Sequence, residues 1–342
     1  MITRRTFTAS MLSAIPAAGL LGTKAFAQGL RDITFVQPSP SAINSFPVFV
    51  AIGEGYFEEE GLNVTVEAIN GSGAVLQALS AGQAQFGRPG PGPLIAARSR
   101  GVDAVHIYNV AARSNFGVVV QQDSEIMDIE GLRGKVIGTG TADGAEVGFA
   151  RNVMTSAGMV AGEDFEFLTV GDGGPATAAF LSGAIDAYSS STADAAILNQ
   201  RGMAVRDITP AAFARFFGNG IATMGDIIRN DRELVEGWSR AFARGHAFAL
   251  DDANREVVLG HLATGNPQEG EDKEFQSALF DAVRSKTIPT DMSNGLGWYP
   301  AEVWGEWQDA LVAGGEIPGP LDDLSVAWTN EFAAIGNEAI SE

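Results

Sequence analysis

Gly71-Ser72-Gly73-Ala74 opens a segment that runs through Ser80-Ala81-Gly82 to Arg100-Gly101, and its outline returns as Asp172-Gly173-Gly174-Pro175, Leu181-Ser182-Gly183 and Arg201-Gly202. Gly73 and Gly174, Gly82 and Gly183, and Gly101 and Gly202 all stand 101 positions apart. In each copy a glycine-rich turn precedes a helix, glycine closes it, and a short strand follows through Gln85-Phe86 or Asp186-Ala187. A repeated strand–turn–helix–strand unit predicts two α/β lobes of common geometry. Each unit puts free backbone N–H groups and the positive end of a helix dipole at the C-terminal edge of a sheet, where an anion or a carbonyl oxygen is stabilised. Two such edges facing each other form a cleft that encloses a small polar molecule, with the lobes closing about the connecting strands.

Outward from the repeat, the same grammar continues. Ile33–Val36 reads as a strand, and Pro47 suits the first position of a helix that runs through Phe57 to the acidic Glu58-Glu59-Glu60, with Gly61 just past its end. Leu62, Val64, Val66 and Ala68 alternate with polar residues, as in a strand. Strand-like runs 105–110 and 116–120 lead to a second series: strand 136–138, a helix from Ala145, strand 165–170, helix 176–182, strand 185–189 and helix 195–201. Beyond Asn219-Gly220 the pattern becomes helical, with Asp231 placed to cap a long helix and further helices near 255–264, 271–285, 301–313 and 325–339. The chain is expected to cross between lobes near 116–120 and 217–222. That gives one lobe of 31–118 plus 220–342, including the C-terminal helices, and another of 119–219.

Composition narrows the function. The 342 residues carry 42 Asp+Glu against 22 Lys+Arg, a formal net charge of −20, so a nucleic-acid backbone or an anionic membrane is a poor partner. There is no cysteine, which excludes disulfides, thiolate nucleophiles and Cys-based metal sites. Three scattered histidines, His106, His246 and His261, offer no metal motif, and His106 falls in a strand pattern that suits a core position. Gly138-Thr139-Gly140 is only a fragment of a nucleotide loop, so no cofactor is expected.

The N-terminus reads as an export address. Thr3-Arg4-Arg5-Thr6-Phe7 is a twin-arginine pattern, an apolar run follows from Ala9 to Leu21, and Ala25-Phe26-Ala27 is a small-x-small site for cleavage after Ala27. No other stretch approaches the roughly 18 apolar residues of a membrane span, so the mature protein is expected to be soluble in the periplasm, without direct membrane insertion, and to act as a monomer.

Phe46-Pro47-Val48-Phe49-Val50-Ala51-Ile52-Gly53-Glu54-Gly55-Tyr56-Phe57, followed by Glu60-Gly61-Leu62-Asn63-Val64, resembles the opening of a family of ABC-transporter solute-binding proteins. The family is the NMT1/THI5-like or SsuA/TauA-like group, whose members bind sulfonates, taurine, nitrate and pyrimidine precursors. Leu79-x-x-Gly82-x-x-Gln85-Phe86-Gly87, Leu132-x-Gly134-Lys135-Val136-Ile137-Gly138 and the stretch Leu181 to Tyr188 extend the resemblance over roughly 31–225. It implies a periplasmic-binding-protein fold of type II, two α/β lobes around an interlobe ligand cleft, and delivery of the ligand to an inner-membrane ABC permease. It also implies the contact segments: Gln37, Ser39, Asn44 and Phe46 after the first strand, Ser72 and Gly73 at the first helix, and Arg88 and Pro89 after Phe86-Gly87. In the second lobe they are Thr139, Thr141 and Asp143 within 139–144, then Asp172 and Gly173, and Tyr188 to Thr192. The pyrimidine-synthase relatives use a Cys-rich motif; its absence here argues against enzymatic activity. Thr-Ala-Asp at 141–143 replaces the serine run of sulfonate binders.

Individual residues remain open to two readings. Arg88, in Gly87-Arg88-Pro89-Gly90-Pro91, either grips a carboxylate, sulfonate or phosphate bidentately or is a solvated loop arginine. Asp143 and Asp172 either cap helices or select a ligand donor. Phe46 and Tyr188 either sandwich a planar ligand part or pack in the core. Trp298, Trp304, Trp307 and Trp328 suit a packing surface better than a cation box. The competing functions are a pyrimidine-synthase-like enzyme and the ligand-sensing domain of a regulator.

Overall fold

Ile33, Phe35 and Val36 of the first strand are all buried, so both faces of the sheet it belongs to are covered. The computed structural model describes residues 29–341; the twin-arginine motif, the apolar run and the Ala27 cleavage site lie outside the described residues. The first sheet comprises Arg31–Gln37 (β1), Leu62–Ala68 (β2), Phe86–Gly87 (β3), Ala104–Tyr108 (β4) and, from far down the chain, Ile221–Met224 (β10). Its order is β2-β1-β3-β10-β4, with β10 antiparallel to both neighbours. The second comprises Phe116–Gln121 (β5), Lys135–Thr139 (β6), Phe165–Thr169 (β7), Ala187–Ser191 (β8) and Val205–Asp207 (β9), in the order β7-β6-β8-β5-β9. Here β5 is the antiparallel strand.

The two sheets are the same diagram drawn twice. Each has three parallel strands, then one antiparallel strand donated across the cleft, then an edge strand. This is the geometry behind the 101-residue repeat. The first crossing lies between β4 and β5, at 109–115, somewhat earlier than the sequence suggested, because Phe116 onward already pairs with β8. The return falls between Asp207 and Ile221.

Helices cover the sheets. Arg232–Leu250 lays Trp238 against Phe35 and Phe86, the latter stacked at 4.1 Å and 14°. Ala301–Ala313 is a strut: Trp304 meets His106 from the first sheet, while Trp307 meets Phe149 and Phe216 from the second half. Trp304 and Trp328 stack on each other at 6.1 Å. These tryptophans pack rather than form a cation box. His106 is fully buried, with Nδ1 2.7 Å from the Tyr299 hydroxyl, and burial holds it neutral, pulled down to about 3.

Two expectations about local structure are corrected. The helix beginning at Phe46 stops at Gly53, and a second turn covers Tyr56–Glu59, because Gly55 adopts a left-handed φ of 77° that breaks the ladder. Asp231 precedes the long helix but makes no side-chain cap; its carboxylate pairs with Arg31 at 2.6 Å instead.

Candidate ligand-binding site

The C-terminal ends of β1 and β3 converge on a cavity of about 60 Å³ between the two sheets. The first half contributes Ser39, Asn44, Ser72 and Arg88, the second Thr141, Glu146, Asp172 and Asp194, and the crossing segments Asn115 and Asn219. Local chemistry fixes this edge. The Gly71 N–H donates to the Pro38 carbonyl at 3.1 Å, which anchors the loop after β1 to the start of helix Gly71–Ser80. The Gly90 N–H donates to Ser72 Oγ at 3.1 Å, which ties the loop after β3 to the same helix.

Arg88 sits where β3 ends. Its N–H donates to the Val36 carbonyl at 3.0 Å, and its own carbonyl accepts from Asn219 Nδ2 at 3.2 Å. The residue is 4% exposed. Among the described residues the guanidinium has no ion-pair or hydrogen-bond partner, and Nε is fully enclosed. Burial alone pulls it down to about 10, with no neighbouring carboxylate to hold it up. A buried charge without a partner costs several kcal/mol, so this arrangement is stabilising only when an anion completes it. Asn115 Oδ1, Thr141 Oγ1 and Asn219 Oδ1 line the same cavity and are likewise buried without partners. Clustering of such atoms at one cavity marks a binding site rather than scattered packing faults.

The second half brings three acidic residues, Glu146, Asp172 and Asp194, to the same cavity. Asp172 Oδ1 accepts from the Tyr188 hydroxyl at 2.8 Å. Asp194 Oδ2 accepts from the Ser191 N–H at 2.9 Å, in a capping box at the start of helix Thr192–Gln200. Burial, then the neighbouring Asp172, pushes Asp194 up to about 6. Burial, reinforced by Asp194 and Asp172, pushes Glu146 up to about 8.

The halves touch around the cavity. A Cβ built on Gly73 would lie 2.1 Å from Asp143 Oδ2, and one on Gly90 would lie 2.3 Å from the Ala145 Cβ. The contact at Gly73 is with an exposed, movable side chain, whereas at Gly90 the Ala145 Cβ leaves no room for one.

Residues 42–255 match the family described as NMT1/THI5 like. The chain belongs to the NMT1/THI5-like family. Among its relatives, the riboflavin-binding protein RibY of Chloroflexus aurantiacus is 23% identical over 312 residues, 90% of this chain and 88% of its own. The 4-amino-5-hydroxymethyl-2-methylpyrimidine phosphate synthase THI11 of Saccharomyces cerevisiae is 30% identical over 110 residues, 31% of this chain and 32% of its own. Among solved structures, the alkanesulfonate-binding protein SsuA of Xanthomonas axonopodis pv. citri, bound to MOPS, superposes with a TM-score of 0.69 at 16% identity, over 89% of this chain and 100% of that one. The NMT1/THI5-like chain thus has the two-lobed periplasmic-binding-protein fold.

The expected contact residues divide into two sets. Ser39, Asn44, Ser72, Arg88, Thr141 and Asp172 line the cavity. Pro89 follows Arg88, and its carbonyl accepts from the Gly220 N–H at 3.2 Å. Gln37 is 2% exposed, with Oε1 lacking a partner. Thr192 bonds backward, its hydroxyl donating to the Asn115 carbonyl at 3.3 Å. Thr139 is buried, 3.4 Å from the Thr169 hydroxyl. Phe46 has no exposure and packs edge-on against His246 and Phe280. Tyr188 is also buried, in the cluster with Val119 and Phe180, and reaches the site only through its hydroxyl on Asp172. Gly73 and Asp143 flank a wider groove beside the cavity, and Gly173 lines another on the opposite side. Asp143 and Asp172 are not caps: Gly144 and Gly173 hold those positions, with no side-chain cap bond.

Glu146, Asp194, Asn115 and Asn219 were missed by sequence reasoning. Ser191-x-x-Asp194 carried the signal of a capping box, which explains Asp194 without any ligand. Nothing local in the sequence marks the two asparagines; they matter because both crossings pass the cavity.

Proposed function

We propose that this protein is the exported solute-binding component of an ABC importer, taking a small anionic or strongly polar organic molecule between its lobes and handing it to an inner-membrane permease. The observation that carries this reading is Arg88, buried and unpaired at an interlobe cavity rimmed by other unpaired polar atoms. We read the lobes as 31–118 with 220–342, and 119–219; the membership of the two sheets supports a division of this kind, with the pairing of β5 favouring a first crossing a few residues earlier, at 109–115. The twin-arginine pattern and Ala25-Phe26-Ala27 support export by that route, cleavage after Ala27 and action in the periplasm. A relative and a structural neighbour whose names record riboflavin and alkanesulfonate binding support a small-molecule cargo.

The cavity of about 60 Å³ adjoins a wider groove that shares Ser39, Asn44, Asp172 and Asp194 with it. A thermal-shift panel of sulfonates, taurine, nitrate, carboxylates and pyrimidines tests the proposal, since a bound ligand raises apparent stability by mass action. Arg88→Ala is expected to abolish the shift given by an anionic hit; an unchanged affinity removes Arg88 from the site.

The likeness to the pyrimidine synthase favours a second reading, an enzyme that consumes its ligand. The chain contains no cysteine, so any route through a thiol is closed to it. Incubation with pyridoxal phosphate should give no product; turnover would establish the enzymatic reading.

A further inference from the structure

Helix Lys273–Thr287 lies in the C-terminal part of the chain, yet its most extensive packing is against helix Thr192–Gln200 of the second half. Polar bonds fasten it to its own side. Arg255 pairs with Asp281 at 2.6 Å, Arg284 pairs with Asp252 at 2.6 Å, and Gln276 Nε2 donates to the Leu259 carbonyl at 3.1 Å. Just before the helix, the Glu269 carboxylate accepts from the N–H groups of Ala42 and Ile43 at 3.0 and 3.1 Å. Those two residues stand between Ser39 and Asn44, which line the cavity. Towards the second half the contact is apolar. Ala193 is 1% exposed and shares one buried cluster with Leu279, Phe280 and Val283.

The two helices run outward from the first crossing. The Thr192 N–H donates to the Asn115 carbonyl at 2.7 Å, and the Arg113 N–H donates to the Lys286 carbonyl at 3.0 Å. At the opposite ends, Gln200 and Asp272 both line the wide groove beside the cavity. Nine residues of helix carry the seam about 13 Å away from the crossing. Rotation about the crossings has to part it, which returns Ala193 and Val283 to water.

We infer that helix Lys273–Thr287 is an interlobe latch that holds the lobes together before any ligand arrives. Its partner helix also carries Asp194 into the cavity, so parting the seam withdraws one wall of the site. The latch raises the closed fraction of the ligand-free protein and makes its own release a step in ligand entry.

The chain has no cysteine, so a Q200C/E274C pair takes two spin labels at defined, exposed positions, one on each helix at the groove end. Pulsed electron spin resonance on the full-length, ligand-free chain reads the distance between them. The expected result is one narrow, short distance. A193E puts a carboxylate into the apolar seam and should lengthen the mean distance by at least roughly 5 Å, the scale of one helical turn. V283N weakens the seam from the other side, should shift the distance in the same direction, and serves if circular dichroism shows that A193E fails to fold. A parent protein that is already long or broadly distributed overturns the latch, as does a folded variant that keeps the parent's distance. The measurement uses no ligand, so its failure leaves the reading of Arg88 standing, and retained anion affinity in Arg88→Ala leaves the latch standing.

Discussion

Asp143 of the second lobe lies with its carboxylate over the first turn of helix Gly71–Ser80 in the first lobe, so close to Gly73 that a Cβ there would stand 2.1 Å from Oδ2. The contact is soft, because Asp143 is an exposed side chain that can rotate away. Its neighbour is hard: a Cβ on Gly90 meets the Ala145 Cβ at 2.3 Å and its Cα at 3.5 Å. Gly90 itself has φ −82° and ψ 161°, which alanine adopts without strain.

Gly90→Ala should therefore hold the lobes apart without unfolding either. Ligand affinity is expected to fall roughly 10- to 100-fold, in line with a lost closed state, with the ligand-free melting temperature within about 2 °C of the parent. Gly73→Ala should cost less than about threefold. Calorimetry with scanning fluorimetry checks both, and equal effects at the two glycines would contradict the closure argument.

Arg88 trades stability for binding. Replacing a buried, unpaired charge with an apolar chain of similar length removes a desolvation cost. Arg88→Met should raise ligand-free stability by about 1–3 kcal/mol while eliminating anion binding. Urea denaturation measures the first and a binding titration the second; a destabilised variant would mean that Arg88 has a structural partner.

The acidic wall sets a pH dependence whose sign is fixed. Burial raises Asp194 to about 6 and Glu146 to about 8. Both are protonated more readily in the fold than in the unfolded chain. Their contribution is fully present below about pH 4 and is lost as pH rises through about 6 and then about 8. Ligand-free stability should fall by about 1–3 kcal/mol between pH 4 and pH 8, discounted for solvent at the cleft, and the fall should flatten in E146Q/D194N. Denaturation midpoints across that range check it.

The C-terminal strut is testable apart from the site. Trp307 is 1% exposed and joins Phe149 and Phe216 to the helix that covers the first lobe. Trp307→Ala should cost about 3–5 kcal/mol. A loss below about 1 kcal/mol would show that the strut carries little of the interlobe packing.

Much of this fold was legible because glycine spacing and apolar alternation are local. The strands of both halves fall within a few residues of their expected bounds, and the 101-residue offset anticipates two sheets of identical order. Arg88 was legible as a candidate because a two-residue strand followed by Pro89 and Gly90 leaves it only a loop at a sheet edge. The aromatic residues were not. Phe46 and Tyr188 border the same edge in sequence, but whether a ring faces a cleft or a core depends on partners such as Phe280 and Phe180, far away in the chain. The acids misled for a related reason. Asp143 and Asp172 sit where caps belong, yet Gly144 and Gly173 take those positions, and the carboxylates lie against Gly73 and the Tyr188 hydroxyl instead. Asp194, a true capping-box residue, lines the cavity together with Asp172.

The most direct measurement is a crystal structure of the protein with the tightest-binding probe. The predicted result is a ligand between the two sheets, with an anionic oxygen about 2.7–2.9 Å from the Arg88 guanidinium and its other end against the second lobe. A ligand seated elsewhere, or one leaving the guanidinium without a contact, would contradict the account.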